Sequence, residues 1–147
     1  MPVVRGCNLP DELAYDVPNN LWYRAEVDGT FTVGMTMVAA ALAGNLVAFT
    51  AKKVGKTIDA GKSVATVESG KWVGPVKIGF DAEIVAVNDD LSTNPKLVNT
   101  DTYVGGWMVR VRPVGAGAAG GVLVPGSAVA TPYEAKMAAD AFAGCAP

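Results

Sequence analysis

The chain has 147 residues and no histidine. That single absence removes the side chain most often used to move protons near neutral pH. A Ser-His-Asp triad, a Cys-His pair and a His-Glu-x-x-His zinc helix are all excluded. Carboxylates, lysines and two cysteines remain to carry any chemistry. The carboxylate pairs Asp11-Glu12 and Asp89-Asp90 stand in polar, turn-like surroundings and read as solvated surface. Cys7 and Cys145 lie near opposite ends of the chain, form no disulfide framework and lack metal-ligand spacing. They read as ordinary buried or terminal thiols, and their neighbourhoods neither mark nor exclude a low-pKa redox thiolate. The stretch "AGKS" at 60–63 shares the end of a phosphate-binding loop. Lys56 stands where that motif needs its first glycine, however, and no long helix follows. A chain so equipped reads as a carrier or binder rather than an enzyme.

One lysine has surroundings that make joint sense. In "TVESGKWVGP", 66–75, Glu68 and Ser69 end a β-prone run and Gly70 permits a tight or positive-φ turn. The chain then returns through Trp72 and Val73. Lys71 at such a tip is open from most directions. An enzyme that turns its amine into an amide needs that openness, because its active site must enclose the side chain. A solvated turn lysine is the plain alternative, and spacing alone does not choose between them.

The elements that must hold this tip can be read outward from it. "LWYRAEVDGTFTVGMT" gives strands over 21–26 and 30–35 around an Asp28-Gly29 turn, a strong hairpin signal. "TMVAAALAG" predicts a short helix capped by Thr36 and ended by Gly44. "NLVAFT" predicts a buried strand. From Lys52 to Asp89, short β-rich runs alternate with turns at Gly55, Gly61, Gly70, Gly74 and Gly79, the pattern of a sandwich or small barrel. "LSTNPKLVN" reads as a loop or helical turn. "TYVGGWMVRVRPV" adds a last strand with Trp107, Val109 and Val111 on one face. Residues 1–114 thus form the main domain, 115–130 a Gly/Ala-rich linker and 131–144 a C-terminal helix. Thr131 and Glu134 suggest a capping box there, with Pro132 at the first helical position and Gly144 at the stop. Tyr133, Met137, Ala141 and Phe142 share a face, so the helix is expected to dock.

Bulk properties narrow the partners. A net charge of −2 and the absence of a basic block argue against nucleic acid and anionic membranes. The longest apolar-leaning run, 33–49, is short and interrupted for a membrane span. No secretory signal is visible, so a cytoplasmic location is the expectation.

Between Leu9 and Arg112 the pieces "DGTFTVGMT", "ALAGNLVAFTAKKVG", "AGKSVATVESGK", "EIVAVNDDL" and "NPKLVNTDTYVGGWMVRV" follow in order. Together they resemble the H protein of the glycine cleavage system. The resemblance implies a mainly β, lipoyl-domain-like sandwich (a barrel-sandwich hybrid) with a short internal helix and a C-terminal helix. It implies lipoate amide-linked to Lys71, with Glu68, Ser69, Gly70 and Trp72 around the attachment point, in a monomeric, non-catalytic carrier. Where H proteins usually have His-Glu-Trp before the first hairpin, this chain has Asn20, Leu21 and Trp22. Trp72 replaces a small residue after the lysine, and Gly44-Asn45 replaces the usual Gly-Asp. With "RGCNLP" and "ESGKWVGP", these departures look more like a sister branch, the lipoate-binding proteins of heterodisulfide-reductase-like sulfur oxidation. The partners then implied are a heterodisulfide-reductase-like complex, lipoate-attaching enzymes and a dihydrolipoyl dehydrogenase. A glycine-cleavage H protein carrying an aminomethyl group is the alternative. A biotin carrier fits less well, because Gly70 and Trp72 occupy the places where biotinyl hairpins usually have methionines. An unmodified structural or regulatory relative is the remaining class.

Overall fold

The computed structural model describes residues 3–115 and 122–145. Its strands are β1 Val3–Val4, β2 Cys7–Asn8, β3 Ala14–Asp16, β4 Leu21–Ala25, β5 Phe31–Met35 and β6 Leu46–Ala51. They continue with β7 Thr57–Ile58, β8 Ser63–Ser69, β9 Val73–Lys77, β10 Ala82–Val87, β11 Val109–Pro113 and β12 Val124–Pro125. The helices are α1 Met37–Ala43, α2 Asp90–Thr93, α3 Leu97–Thr100 and α4 Ala130–Ala139. A 3-10 turn, Gly126–Ala128, leads into α4. Seven strands form one antiparallel sheet in the order β12-β3-β4-β5-β11-β10-β7, and β6-β8-β9 form a smaller one. This is the mainly β, lipoyl-domain-like architecture that the family resemblance implies. No helix among the described residues is long and apolar enough to cross a membrane.

The first hairpin closes as its residue types require. The Asp28 carboxylate accepts from the Thr30 N–H at 3.1 Å and the Thr30 hydroxyl at 2.6 Å, tying the turn between β4 and β5. These hydrogen bonds hold the Asp28 carboxyl below its ordinary pKa. The chain then enters α1, whose start is capped by the Thr36 hydroxyl accepting from the Ala39 N–H at 3.3 Å. Gly44 ends the helix at φ +84°, a left-handed value that only glycine takes without strain.

Strand β4 explains why there are two packed clusters. Leu21 and Tyr23 point into the space between the sheets, where Val33, Met35, Val64, Val67, Val76 and Ile84 join them. Trp22, on the opposite face by the two-residue period of a strand, packs into a second cluster with Tyr15, Tyr133, Met137 and Cys7. The partner of Trp22 in register is Gly34. A Cβ there would stand 2.6 Å from the indole, so only glycine lets the ring lie flat on β5. Burying side chains of this size contributes about 1.5–3 kcal/mol each, which gives the second cluster a real share in holding the chain ends down.

Several details differ from the sequence expectations. Trp107 precedes β11 and packs against the second cluster, whereas Val109 and Val111 belong to the first. The last helix runs Ala130–Ala139, and its cap position is Val129, with no side-chain cap. The 3-10 turn feeds the helix directly, so Thr131 and Pro132 fall inside the first turn and Glu134 turns outward to Arg5. The helix ends before Gly144: Ala141 takes the left-handed position at φ +55°, and the Phe142 N–H donates to the Met137 carbonyl at 2.8 Å. Within 115–130, residues 116–121 lie outside the described residues. Val124 and Pro125 pair with Tyr15 and Ala14, and Gly126 is buried against the Pro10 and Asp11 carbonyls. Val124 and Pro125 are therefore an edge of the large sheet, followed by the turn into α4.

The largest correction concerns the cysteines. Cys7 and Cys145 are bonded to each other, with their Cα atoms 5.1 Å apart across 138 residues of chain. Around this bond the Arg5 carbonyl accepts from the Cys145 N–H at 2.9 Å, and the Arg5 guanidinium bonds Glu134 at 2.9 Å and the Phe142 carbonyl at 2.7 Å. The ends of the chain meet only in the folded protein, so nothing local to either cysteine signalled the pairing. The expectation of two ordinary thiols is thereby overturned.

Candidate functional site

The hairpin of β8 and β9 carries Lys71 at its tip. Pairing runs Glu68↔Val73, Val67↔Gly74 and Thr66↔Pro75, and the Ser69 N–H closes the turn on the Trp72 carbonyl at 2.7 Å. Ser69 is buried, and its hydroxyl accepts from the Lys71 N–H at 3.3 Å, bending the chain outward at the lysine. Glu68 alternates to the exposed face. Ser69 therefore shapes the tip from inside, while Glu68 and Lys71 stand outside it.

Gly70 does not play the conformational part its type suggested. Its φ is not positive, and a Cβ at that position would meet nothing within 4 Å. The glycine that the lysine needs is Gly44, at the end of α1. A Cβ there would stand 3.2 Å from the Lys71 Cε, a tight contact beside a φ of +84° that itself calls for glycine, so the lysine stem lies close over the end of α1. Sequence reading identified Gly44 as a helix stop and missed it as part of the site. The α1 boundary was visible, but its contact with a residue 27 positions later was not.

Trp72 is 40% exposed, and its ring covers Gly74, where a Cβ would fall 2.0 Å from the indole Cζ2. The same ring forms one wall of a cleft of about 240 Å³, which Leu21, Met35, Leu42, Pro75 and Val76 also line. Trp72 thus packs on its own hairpin and presents an apolar edge to the cleft. Asn19 and Asn20 bring the polar groups. Asn20 sits at φ +57°, a region asparagine tolerates better than most residues, and its Oδ1 accepts from the Tyr133 hydroxyl at 3.2 Å. The Tyr133 phenol lies close to the Thr36 hydroxyl as well, at 3.4 Å. Burial raises its pKa far above the ordinary value, partly offset by the contact with Thr36. None of the side chains that line the cleft ionises.

The other candidates from sequence stay apart from this site. "AGKS" forms the turn that opens β8, with Gly61 at φ +85° and a strand rather than a helix after it. Asp11, Glu12, Asp89 and Asp90 are exposed. No group of three or more metal-ligating side chains occurs among the described residues.

A lysine carried on a hairpin of the three-stranded antiparallel sheet, beside Gly44 and an uncharged cleft, places this chain among the lipoyl-domain-like proteins. The model of the glycine cleavage H-protein family matches residues 13–133, so the chain belongs to that family. It is 53% identical over 127 residues to glycine cleavage system H protein 5 of Aquifex aeolicus (strain VF5), covering 84% of this chain and 86% of that one. It is 44% identical over 105 residues to the glycine cleavage system H protein of Salmonella paratyphi B (strain ATCC BAA-1250 / SPB7), covering 71% and 81%. A crystal structure of a glycine cleavage system H protein from Mycobacterium marinum superposes with a TM-score of 0.71 at 31% identity, covering 88% of this chain and 98% of that one.

Proposed function

We propose that this chain is a lipoyl carrier, with lipoate amide-linked to Lys71, that moves a bound group between the active sites of partner enzymes. The observation that carries the reading is the tip itself. Lys71 is exposed at the end of a backbone-locked hairpin, its stem close over Gly44 at the end of α1. The surroundings suit an acylated lysine. Acylation removes the ammonium charge, and the adjoining cleft offers apolar walls and no counter-ion. Lipoate supplies the thiol and redox chemistry, so the histidine-free chain need not carry the reaction itself. The protein's part is to hold the attachment point rigid, keep it accessible and shelter one side of it. Glu68, Ser69, Gly70 and Trp72 frame that point, with lipoate-attaching enzymes as the first partners.

The relatives' names favour an aminomethyl carrier of glycine cleavage, and that is the better supported cargo. The expectation of a heterodisulfide-reductase-like partner, with a dihydrolipoyl dehydrogenase beside it, draws no support from those names. One observation keeps it as a second reading. Leu21 and Asn20 leave the cleft without a carboxylate that could bond a basic amine, while a neutral or sulfur-bearing load loses nothing by that.

Intact-mass and peptide mapping of native protein test the attachment. One lipoyl amide on Lys71 is expected, lost in Lys71→Arg with the fold unchanged; mapping to Lys62 or Lys77 would overturn the assignment. Pairing the lipoylated chain with glycine decarboxylase and aminomethyltransferase, beside an authentic H protein at equal lipoylation, separates the cargoes. Equal rates fix glycine cleavage; a rate lower by tenfold or more selects the second reading.

A further inference from the structure

Helix α1 has a second flank that the lipoyl reading leaves unused. On it lie Met37, Ala40, Ala41 and Gly44, spaced three and four apart, which puts them in one row. They floor a groove of about 320 Å³ whose far end is Cys145. The Cys145 Sγ lies 3.7 Å from the Met37 carbonyl, at the first residue of the helix. At the other end Gly44 adjoins both this groove and a neighbouring hollow of about 400 Å³ that reaches Lys71. Asn99 pins the junction, donating to the Gly44 carbonyl at 3.0 Å and accepting from the Leu46 N–H at 2.9 Å.

The lengths agree. Seven residues of α-helix rise roughly 10 Å. A chain of about seven bonds, the distance from a lysine nitrogen to the sulfur of an attached lipoyl group, spans roughly 9 Å when extended. The lysine stem adds its own reach. Of the two cysteines, Cys7 is fully buried and Cys145 half-buried, and the groove is lined by Cys145 and not by Cys7.

We propose that the Cys7–Cys145 disulfide is a redox partner of the chain's own arm, reduced by a dithiol carried on Lys71 through intramolecular exchange. The inference rests on lipoylation at Lys71. A thiolate of the arm attacks the Cys145 sulfur and forms a mixed disulfide, and Cys7 leaves as a thiolate that takes up a proton. The second arm thiolate then attacks the arm's own sulfur in that mixed disulfide, closing the dithiolane and releasing Cys145 as a thiol. Two electrons and two protons pass from the arm to the cysteine pair, and no other reactant is needed. The exchange is reversible and needs access to only one of the two sulfurs. Tethering holds the dithiol near the groove at millimolar effective concentration. The protein can thereby store the two electrons of a reduced arm without meeting a partner.

The test uses lipoylated full-length protein with dihydrolipoyl dehydrogenase and NADH, which reduce the arm, followed by acid quench, alkylation and peptide mapping. Cys7 and Cys145 should become alkylated in lipoylated protein and stay disulfide-bonded in Lys71→Arg. Reduction should be roughly 10²-fold faster than when about 10 μM free dihydrolipoamide is supplied to Lys71→Arg. An arm found reduced and alkylated beside an intact Cys7–Cys145 bond overturns this proposal alone. Equal reduction of the pair in Lys71→Arg overturns it as well. Absence of lipoyl mass on Lys71 overturns the carrier reading and this one with it.

Discussion

The hairpin tip and the clamp that joins the chain ends are held in opposite ways. At the tip, the Ser69 N–H meets the Trp72 carbonyl and the Lys71 N–H meets the Ser69 hydroxyl, all within a few residues. In the clamp, Arg5 meets Glu134 across 129 residues and Cys7 meets Cys145 across 138. The tip buries little and stands exposed; the clamp covers the second cluster, where Trp22, Tyr15, Tyr133 and Met137 are fully buried. On the proposed carrier reading, a site that enters other enzymes is made from short-range bonds that cost nothing elsewhere when it is handled. The scaffold that keeps it aimed is made from long-range ones.

If that contrast is right, the clamp should carry stability and the tip should not. The double variant Cys7→Ser, Cys145→Ser should lose about 2–5 kcal/mol, because the unfolded chain regains the freedom of a very long loop. Denaturant unfolding of oxidised protein measures it, and Lys71→Arg should unfold at an unchanged midpoint.

Alkali should attack the clamp next. Burial, the largest cause in each case, raises the Tyr15, Tyr103 and Tyr133 phenols far above their ordinary values, and Tyr23 in the first cluster likewise. Above about pH 10 the unfolded phenols ionise while the folded ones keep their protons, so raising the pH favours unfolding. Stability should be flat in this respect up to that pH. Beyond it, stability should fall by up to about 1.4 kcal/mol per pH unit for each such tyrosine. Unfolding midpoints between pH 8 and 11 check the sign and the onset, and Tyr133→Phe should soften the slope.

The smallest effects distinguish two glycines near the lysine. Gly44→Ala must take φ +84° and crowd the Lys71 Cε, so a loss of about 1 kcal/mol or more is expected, with slower modification. Gly70→Ala meets open space at an ordinary φ and should change stability by less than about 0.5 kcal/mol. A larger loss at Gly70 than at Gly44 would reverse the assignment of the glycine that matters.

What the sequence determined by itself was the local material. The Asp28-Gly29 hairpin, the Thr36-to-Gly44 helix, the punctuated strands from Lys52 to Asp89 and the lysine between Gly70 and Trp72 were each legible. Turn chemistry, capping and alternation act within a few residues. The absence of histidine was legible too, and with it the exclusion of most proton-transfer chemistry. Only the tertiary structure decided that Gly44 makes room for Lys71, that Trp22 lies on Gly34 while Trp107 leaves the strand face, and that Val124 and Pro125 extend the large sheet. It alone joined Cys7 to Cys145 and aligned them with α1 and the lysine. Those relations arise where segments far apart in the chain pack together. Neither partner carries a local mark of such a contact, because its free energy exists only once the whole core has closed.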